Sequence, residues 1–339
     1  VERLKQGGPF KVFTPFWRAA QAQWRSETLW DAPESLAEAN AGPAGVPLAA
    51  LGLVPKPRWD VPFWDEWTPG EAGAHAALEV FVDGALQGYA DSRDRPDQVG
   101  TSRLSPHLHF GEISPWRLAA TIQSACSAAS AAGADAWLRE LGWREFAHHL
   151  LHHFPHSAQH NFNPAFDRFA WANLREETLE RWRSGNTGVP IVDAGLRELW
   201  ATGWMHNRVR MIVGSYLTKH MRAHWLEGAR WFWDTLVVAD LANNTLGWQW
   251  VAGTGADAAP YFRVFNPVTQ ATRFDPDARY ITRWVPELAT LPVALRFAPW
   301  TDRAVAARLA PEYPPHPLVD LAAGRDAALG AYGALRASR

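Results

Sequence analysis

From about Thr68 onward, one pattern governs the chain: apolar residues return every three or four positions. The runs LEVFVDGAL, SPWRLAATIQSACSAASAA, WLRELGWREF, VDAGLRELWATG, NRVRMIVGSYLTKHM and ARWFWDTLVVADLANN all carry it. A period near 3.6 lets a helix bury one stripe, whereas a half-buried strand needs a period of two. The expected fold class is therefore all-α, with a helical body over residues 68–339. Residues 1–67 read as an irregular connector, because proline and glycine are scattered through PESLAEANAGPAGVPLAALGLVPKPRWD and no Val/Ile-rich strands appear there. Ser114 and Pro115 mark a helix start, and Gly133, Gly203 and Gly247 are candidate stops. Long loops are expected at GNTGVP and VAGTGADAAPYFRVFNPVTQ.

Composition narrows the function classes. With 339 residues, 47% of them hydrophobic, the chain can bury a substantial core. It has no run of about 18 apolar residues, the length that would span a membrane, and VERLKQGGPFKVF lacks the pattern of a signal peptide, so a cytoplasmic protein with no membrane partner is expected. The single cysteine, Cys126, excludes an internal disulfide, a four-cysteine zinc site and an iron-sulfur cluster, and reads as a buried thiol. A net charge of -2 means that any contact with an anionic polymer must use a local patch. The outlier is aromatic, with 20 Trp beside 6 Tyr.

Four segments put polar and aromatic groups where packing residues belong. In WLRELGWREF, Trp137 and Arg144 are seven apart and share a direction, while Glu140 and Trp143 fill adjoining positions. Taken alone, this is also what a large core flanked by surface ion pairs looks like. In GWMHNRVRM, Asn207, Arg210 and Met211 share a face, with Arg208 beside Met211. Burying so many hydrogen-bonding groups is costly without partners, so a polar ligand with a planar ring is the economical explanation. ADLANNTLGWQW sets Asp240 and Asn244 one turn apart and delivers Trp248 and Trp250 just beyond. In GTSRLSPHLHFGEISP, the hydroxyls and amides of Thr101, Ser102, Leu104 and Ser105, with Arg103 nearby, suit a phosphate, although TSRLS serves equally as an N-cap turn. The run FAHHLLHHFPHSAQH has the i, i+4 spacing of helix metal ligands at His148/His152 and His149/His153. No acidic residue or cysteine completes a site next to it, so no metal is expected.

These segments, in this order, closely resemble the photolyase/cryptochrome family, and specifically its bacterial cyclobutane pyrimidine dimer photolyases, from about Gly88 to Leu288. The resemblance implies a two-lobed helical domain holding FAD bent into a U, with a pocket above it for a flipped-out lesion. Family members normally carry an amino-terminal α/β antenna domain, and this chain starts at about the connector that follows it. No antenna pigment is specified. The implied FAD contacts are Tyr89, Thr101, Ser102, Arg103, Leu104, Ser105, Trp137, Arg144, Asn207, Arg210, Asp240 and Asn244, the last facing flavin N5. The implied repair pocket comprises Glu140, Trp143, Asn207, Met211 and Trp250, with Trp143 and Trp250 stacking the dimer rings. Trp248, Trp225 and Trp171 match an electron-transfer chain from the surface. Arg93, Arg208 and Arg263, with Glu140, Trp143 and Trp250, are the expected DNA contacts, and Arg144, Arg210, Lys219, Arg222 and Arg273 are further cations within reach.

The activity implied is light-driven repair of cyclobutane pyrimidine dimers in DNA by electron transfer from excited reduced FAD, a carbon-carbon lyase reaction, carried out by a monomer. Two other classes stay open: a cryptochrome-like blue-light photoreceptor without repair, and a flavin-free DNA-binding module. One departure is specific. In LVVADLANN, Val238 stands where the family usually has an aspartate paired with the arginine that aligns with Arg210. Without that counter-charge the guanidinium favours any anion nearby, including reduced flavin. Val238→Asp is therefore expected to lower the flavin reduction potential, and equal midpoints in spectroelectrochemical titration of the two versions would leave Val238 without an electrostatic role.

Overall fold

The computed structural model describes residues 7–24, 33, 35, 45–258 and 262–338, and among them every regular element is helical, as the periodicity requires. Two cores organise the body. The larger is built on the helices Pro190–Thr202, Asn207–Ser215, Trp225–Thr235 and Leu241–Ala252 and closes over Val209, Val213, Tyr216 and Trp248. The smaller joins Glu71–Val80 and Pro115–Ser124 to the first half of Ala131–His153, through Leu78, Phe81, Leu118, Ile122, Trp137 and Leu141. Each fully buried large side chain in these clusters contributes about 1.5–3 kcal/mol relative to exposure. The 23-residue helix Ala131–His153, hereafter the Trp137 helix, packs against both Pro115–Ser124 and Leu241–Ala252, so it lies between the two lobes.

The segment expected to be irregular contributes a helix of its own, Phe13–Gln23. Phe13 and Phe16, at helical spacing, are buried against Phe146 and Leu150 of the Trp137 helix in a third cluster. Gly142 permits the approach, since a Cβ there would lie 2.4 Å from the Trp17 ring. The apolar signal of this helix is real but short and stands near the proline-rich stretch; residues 25–32, 34 and 36–44 lie outside the described residues.

Helix boundaries follow the caps, with two corrections. Ser114 accepts from Trp116 N at 3.1 Å, with Pro115 in the first turn, and Gly203 ends its helix at φ 68°, both as expected. Gly133 and Gly247 are not stops: they lie inside Ala131–His153 and Leu241–Ala252, and the latter helix ends at Gly253, where φ is 83°. Gly133 is small for a different reason, because its helix passes so close to Leu86 that a Cβ would sit 1.9 Å from the Leu86 carbonyl oxygen. GNTGVP is a compact turn rather than a long loop. Thr187 N, Thr187 Oγ1 and Gly188 N all donate to the buried Asp193 carboxylate, and Pro190 begins the next helix. The 253–266 loop is irregular as expected, with 259–261 outside the described residues. Cys126 is exposed rather than buried, because the small-residue run around it forms the surface turn after Pro115–Ser124.

Helix propensity alone makes Gly133→Ala stabilising by about 1 kcal/mol. The clash with the Leu86 carbonyl reverses the sign, and a loss of about 1–3 kcal/mol is expected, as for overpacked cores. Urea denaturation of the two versions measures the direction.

Candidate functional site

Successive residues of an α-helix are rotated by about 100°, so Trp137, Leu141, Arg144 and His148 form one stripe of the Trp137 helix, with Glu140 and Trp143 to one side. The stripe meets the seam between the two lobes. Trp137 is buried, and its Nε1 donates to Ser102 Oγ at 3.2 Å, which ties the helix to the loop Thr101–Ser105. That loop turns at Arg103, whose φ of 51° is left-handed, followed by Leu104 in the right-handed region. Alternation of this kind points successive amides into a concavity that suits an anion. None of the amides from Thr101 to Ser105 meets a hydrogen-bond acceptor among the described residues. The Arg103 side chain is directed elsewhere, to Glu66 at 3.0 Å and over the Trp204 ring at 4.4 Å. Tyr89 lies below Arg93, 5.4 Å from guanidinium to ring, and burial pushes its phenol up to about 12.

Asn207–Ser215 forms the opposite wall. His206 caps it, with Nδ1 accepting from Arg208 N at 3.2 Å, so the proton of the neutral ring sits on Nε2. Burial lowers the His206 pKa to about 4 and keeps the ring neutral. Its Nε2 and the Nε of Arg208 are buried without a partner. Arg210 donates from Nε to Met205 O at 2.7 Å, and burial depresses its pKa to about 10 against the pull of Glu198. Among the described residues no carboxylate lies within ion-pair distance of Arg210. Glu198 is the anion that acts on it: burial raises this carboxyl to about 7 although it accepts from Tyr280 OH at 2.7 Å and His206 N at 3.2 Å. Val238 itself is buried.

The third wall is Leu241–Ala252. Asp240 caps it, accepting from Asn243 N at 2.8 Å. Asn244 donates one Nδ2 hydrogen to Ala229 O at 2.9 Å, which leaves its Oδ1 and its second N–H for a ligand. The donor set fits FAD. Unpaired loop amides, two orphaned buried N–H groups and an arginine without a carboxylate all seek acceptors, and a diphosphate joined to a ring rich in carbonyl and nitrogen acceptors supplies them.

The residues expected to touch a lesion and its DNA are placed unevenly. Glu140 is bonded to Arg93 at 2.7 Å, and Arg208 to Asp94 at 2.6 Å, with the Met211 sulfur 3.8 Å from Arg208 Nη1. The structure thus brings Glu140, Met211 and Arg208 together through the adjacent residues 93 and 94. Asn207 is exposed, Trp250 is half-buried, and Arg263 is exposed beyond the 259–261 gap. One face of the half-buried Trp143 is already covered by Phe13, stacked at 3.7 Å and 7°. Arg144 is half-buried, with Nη1 3.3 Å from Glu145. Lys219 is not within reach of DNA: it is fully buried, donates to Ala252 O and lies 3.3 Å from the Phe262 ring centre, in a segment where the helix widens into a π-turn at Tyr216–His220 and shifts its phase. Burial drives its pKa well below the usual lysine value.

Trp248 and Trp225 are buried, and Trp171 is half-buried. His224 stands between the last two, with ring centres 5.1 Å from Trp171 and 5.6 Å from Trp225. Gly228 makes room for Trp248, since a Cβ there would fall 2.0 Å from the indole. Phe13, Asp94, His206 and His224 were not singled out by sequence reasoning. Only His206 carried a signal, as a polar residue just before a helix start. Among the described residues no group of three or more His, Cys, Asp or Glu could hold a metal ion, and no helix is long and apolar enough to cross a membrane.

Fold and seam together define a helical flavin-binding domain. Residues 137–334 match the family model described as the FAD binding domain of DNA photolyase. The chain is 45% identical over 340 residues to the deoxyribodipyrimidine photo-lyase of Agrobacterium fabrum, covering 98% of this chain and 71% of that protein. Among solved structures, a bacterial class III photolyase from Agrobacterium tumefaciens superposes with a TM-score of 0.92 at 45% identity, over 98% of this chain and 70% of that one. A cryptochrome from Synechocystis superposes with a TM-score of 0.79 at 27% identity, over 95% and 68%. The chain belongs to the photolyase/cryptochrome family.

Removing the indole that lies against Gly228 tests the electron-transfer assignment. Trp248→Phe is expected to slow photoreduction of the oxidised cofactor at least tenfold while leaving repair by chemically reduced protein nearly intact. Equal photoreduction rates in variant and parent, followed by flavin absorbance under steady light, would remove Trp248 from that path.

Proposed function

We propose that this chain is a light-driven DNA repair lyase that splits cyclobutane pyrimidine dimers, acting as a monomer in the cytoplasm with FAD bound in the seam between its lobes. The observation that supports this reading is the chain of contacts Glu140–Arg93, Asp94–Arg208 and Arg208–Met211, which links candidate lesion residues of two helices through the adjacent residues 93 and 94. The names of the relatives support the reaction class.

Bound FAD would supply the light absorption and the electron; this chain's residues would place the two ring systems and control their hydrogen bonds. The amides of Thr101–Ser105 would hold the diphosphate. Trp137, Tyr89 and Leu104 would form the apolar floor, and Arg144, Asn207, Arg210 and Asp240 would line the rest. Asn244, with one Nδ2 hydrogen on Ala229 O, would offer its Oδ1 or its second N–H to flavin N5. Above them, Trp143 and Trp250 would stack the lesion, Met211 would adapt to its nonplanar shape, and Glu140 would bond its carbonyl or imide edge. Arg93, Arg208 and Arg263 follow the DNA backbone. Since Arg93 and Arg208 are paired with carboxylates in this structure, part of their charge is already balanced, and Arg263 is the exposed cation of the three.

A dimer-containing oligonucleotide illuminated with the reduced protein decides between repair and light reception without repair. Restored thymine absorbance is expected. For Glu140→Ala and Trp250→Ala, repair or binding is expected to fall by one to two orders of magnitude while flavin absorbance near 450 nm stays with the protein. If either change expels FAD, the division of the Trp137 helix and its neighbours into flavin and lesion faces is wrong.

A further inference from the structure

Asp240 does more than cap a helix. Its Oδ1 accepts from Asn243 N at 2.8 Å and Asn243 Nδ2 at 2.9 Å, while its Oδ2 is bracketed by two histidines from other helices. His109 Nδ1 reaches it at 3.3 Å, and His148 Nε2, from the Trp137 helix, at 3.4 Å. The other ring nitrogen of His148, Nδ1, lies 2.9 Å from the carbonyl oxygen of Arg144. A carbonyl oxygen only accepts, so Nδ1 carries hydrogen. Nε2 lies within ion-pair distance of the carboxylate, a group that offers only acceptors. A neutral imidazole has one N–H, here directed at the Arg144 carbonyl, and a second proton on Nε2 is what the neighbouring carboxylate favours. His148 extends the Trp137–Arg144 stripe by one turn, and Asp240 stands one turn before Asn244, so their ion pair ties the Trp137 helix to the start of Leu241–Ala252.

We propose that His148 is held as an imidazolium between Asp240 and the Arg144 carbonyl, and that it acts as a positioning residue for the flavin: it neutralises Asp240, fixes the turn that carries Asn244, and spares an acceptor-rich ligand an uncompensated carboxylate at its edge. This rests on the seam being the FAD site. The charged and titratable groups facing His148 are Asp240 from the Leu241–Ala252 helix, Arg144 from its own helix and, across the shared oxygen, His109. The hydrogen bond to Asp240 raises the His148 pKa, against burial and the Arg144 guanidinium. Burial pushes the Asp240 carboxyl up, but the hydrogen bonds from His148 and Asn243 outweigh it and hold that group well below the usual carboxylate range. The signs fix a window. A raised histidine contributes fully below its unfolded value of about 6.5 and loses that contribution as pH rises through its folded value. A lowered aspartate contributes above about 3.9 and loses its share as pH falls through its folded value. The pair's contribution is therefore complete from about pH 4 to about pH 6.5 and declines above it.

The test has two arms. NMR titration of the His148 ring in flavin-free protein is expected to give a midpoint above the ordinary histidine value, falling in Asp240→Asn. A midpoint at or below that value in the parent, or no fall in the variant, overturns the imidazolium. In the second arm FAD affinity is measured against pH. The parent is expected to weaken several-fold as pH rises through the His148 midpoint. His148→Gln is expected to be weak and flat across that range, and His148→Lys, which keeps a charge, tight across it. A pH step that survives in His148→Gln, or a His148→Lys as weak as His148→Gln, overturns the positioning role. Absence of FAD binding by every version at every pH would overturn the flavin reading itself, and with it the positioning role, while the NMR arm still decides the protonation state.

Discussion

Polar groups that cannot reach water must find partners, and in this chain that requirement falls on the seam between two hydrophobic cores. The Trp137 helix has to satisfy both lobes, which it does with Trp137 and Leu141 facing one core and Phe146, Ala147 and Leu150 packed beyond. Among the described residues, what remains there is a set of partly exposed loop amides and two buried N–H groups without acceptors, His206 Nε2 and Arg208 Nε. Each of the two buried groups left unpaired costs about 1–3 kcal/mol. A ligand dense in acceptors offsets that cost, so cofactor binding and lobe packing draw on the same helices.

Charge is handled locally. A molecule of net charge -2 cannot attract DNA at a distance by its total field, and the cations near the opening are partly paired with Glu140 and Asp94. Exchange of carboxylate for phosphate around Arg93 and Arg208 is the chemistry such an arrangement permits. Buried basic groups are treated differently. Among the described residues Lys219 meets no carboxylate and relies on a carbonyl and an aromatic face, while Arg210 is left to the distant Glu198.

The helical class was legible because period-3.6 stripes are long and repeated, and the residues of the Trp137, Asn207 and Asn244 helices were legible because polar groups break those stripes at fixed spacing. Other features were not. Gly133 resembles a helix stop, and only the passage of Leu86, 47 residues earlier, shows that it is a contact point. Lys219 reads as a surface cation because a π-turn shifts the helix phase by an amount that no pattern in the sequence announces. His148 reads as one of several histidines on a polar face, since its partner Asp240 lies 92 positions away and the pairing exists only once two helices are side by side.

The stack of Phe13 on Trp143 joins the first described helix to the ring expected to receive a lesion base. One side of that indole is furnished from within the chain, much as a bookend stands against a shelf before any book is added. The position of the ring is thus set partly by a helix more than a hundred residues earlier in the chain, so substitutions along Phe13–Gln23 reach the Trp143 ring without altering any residue of the Trp137 helix.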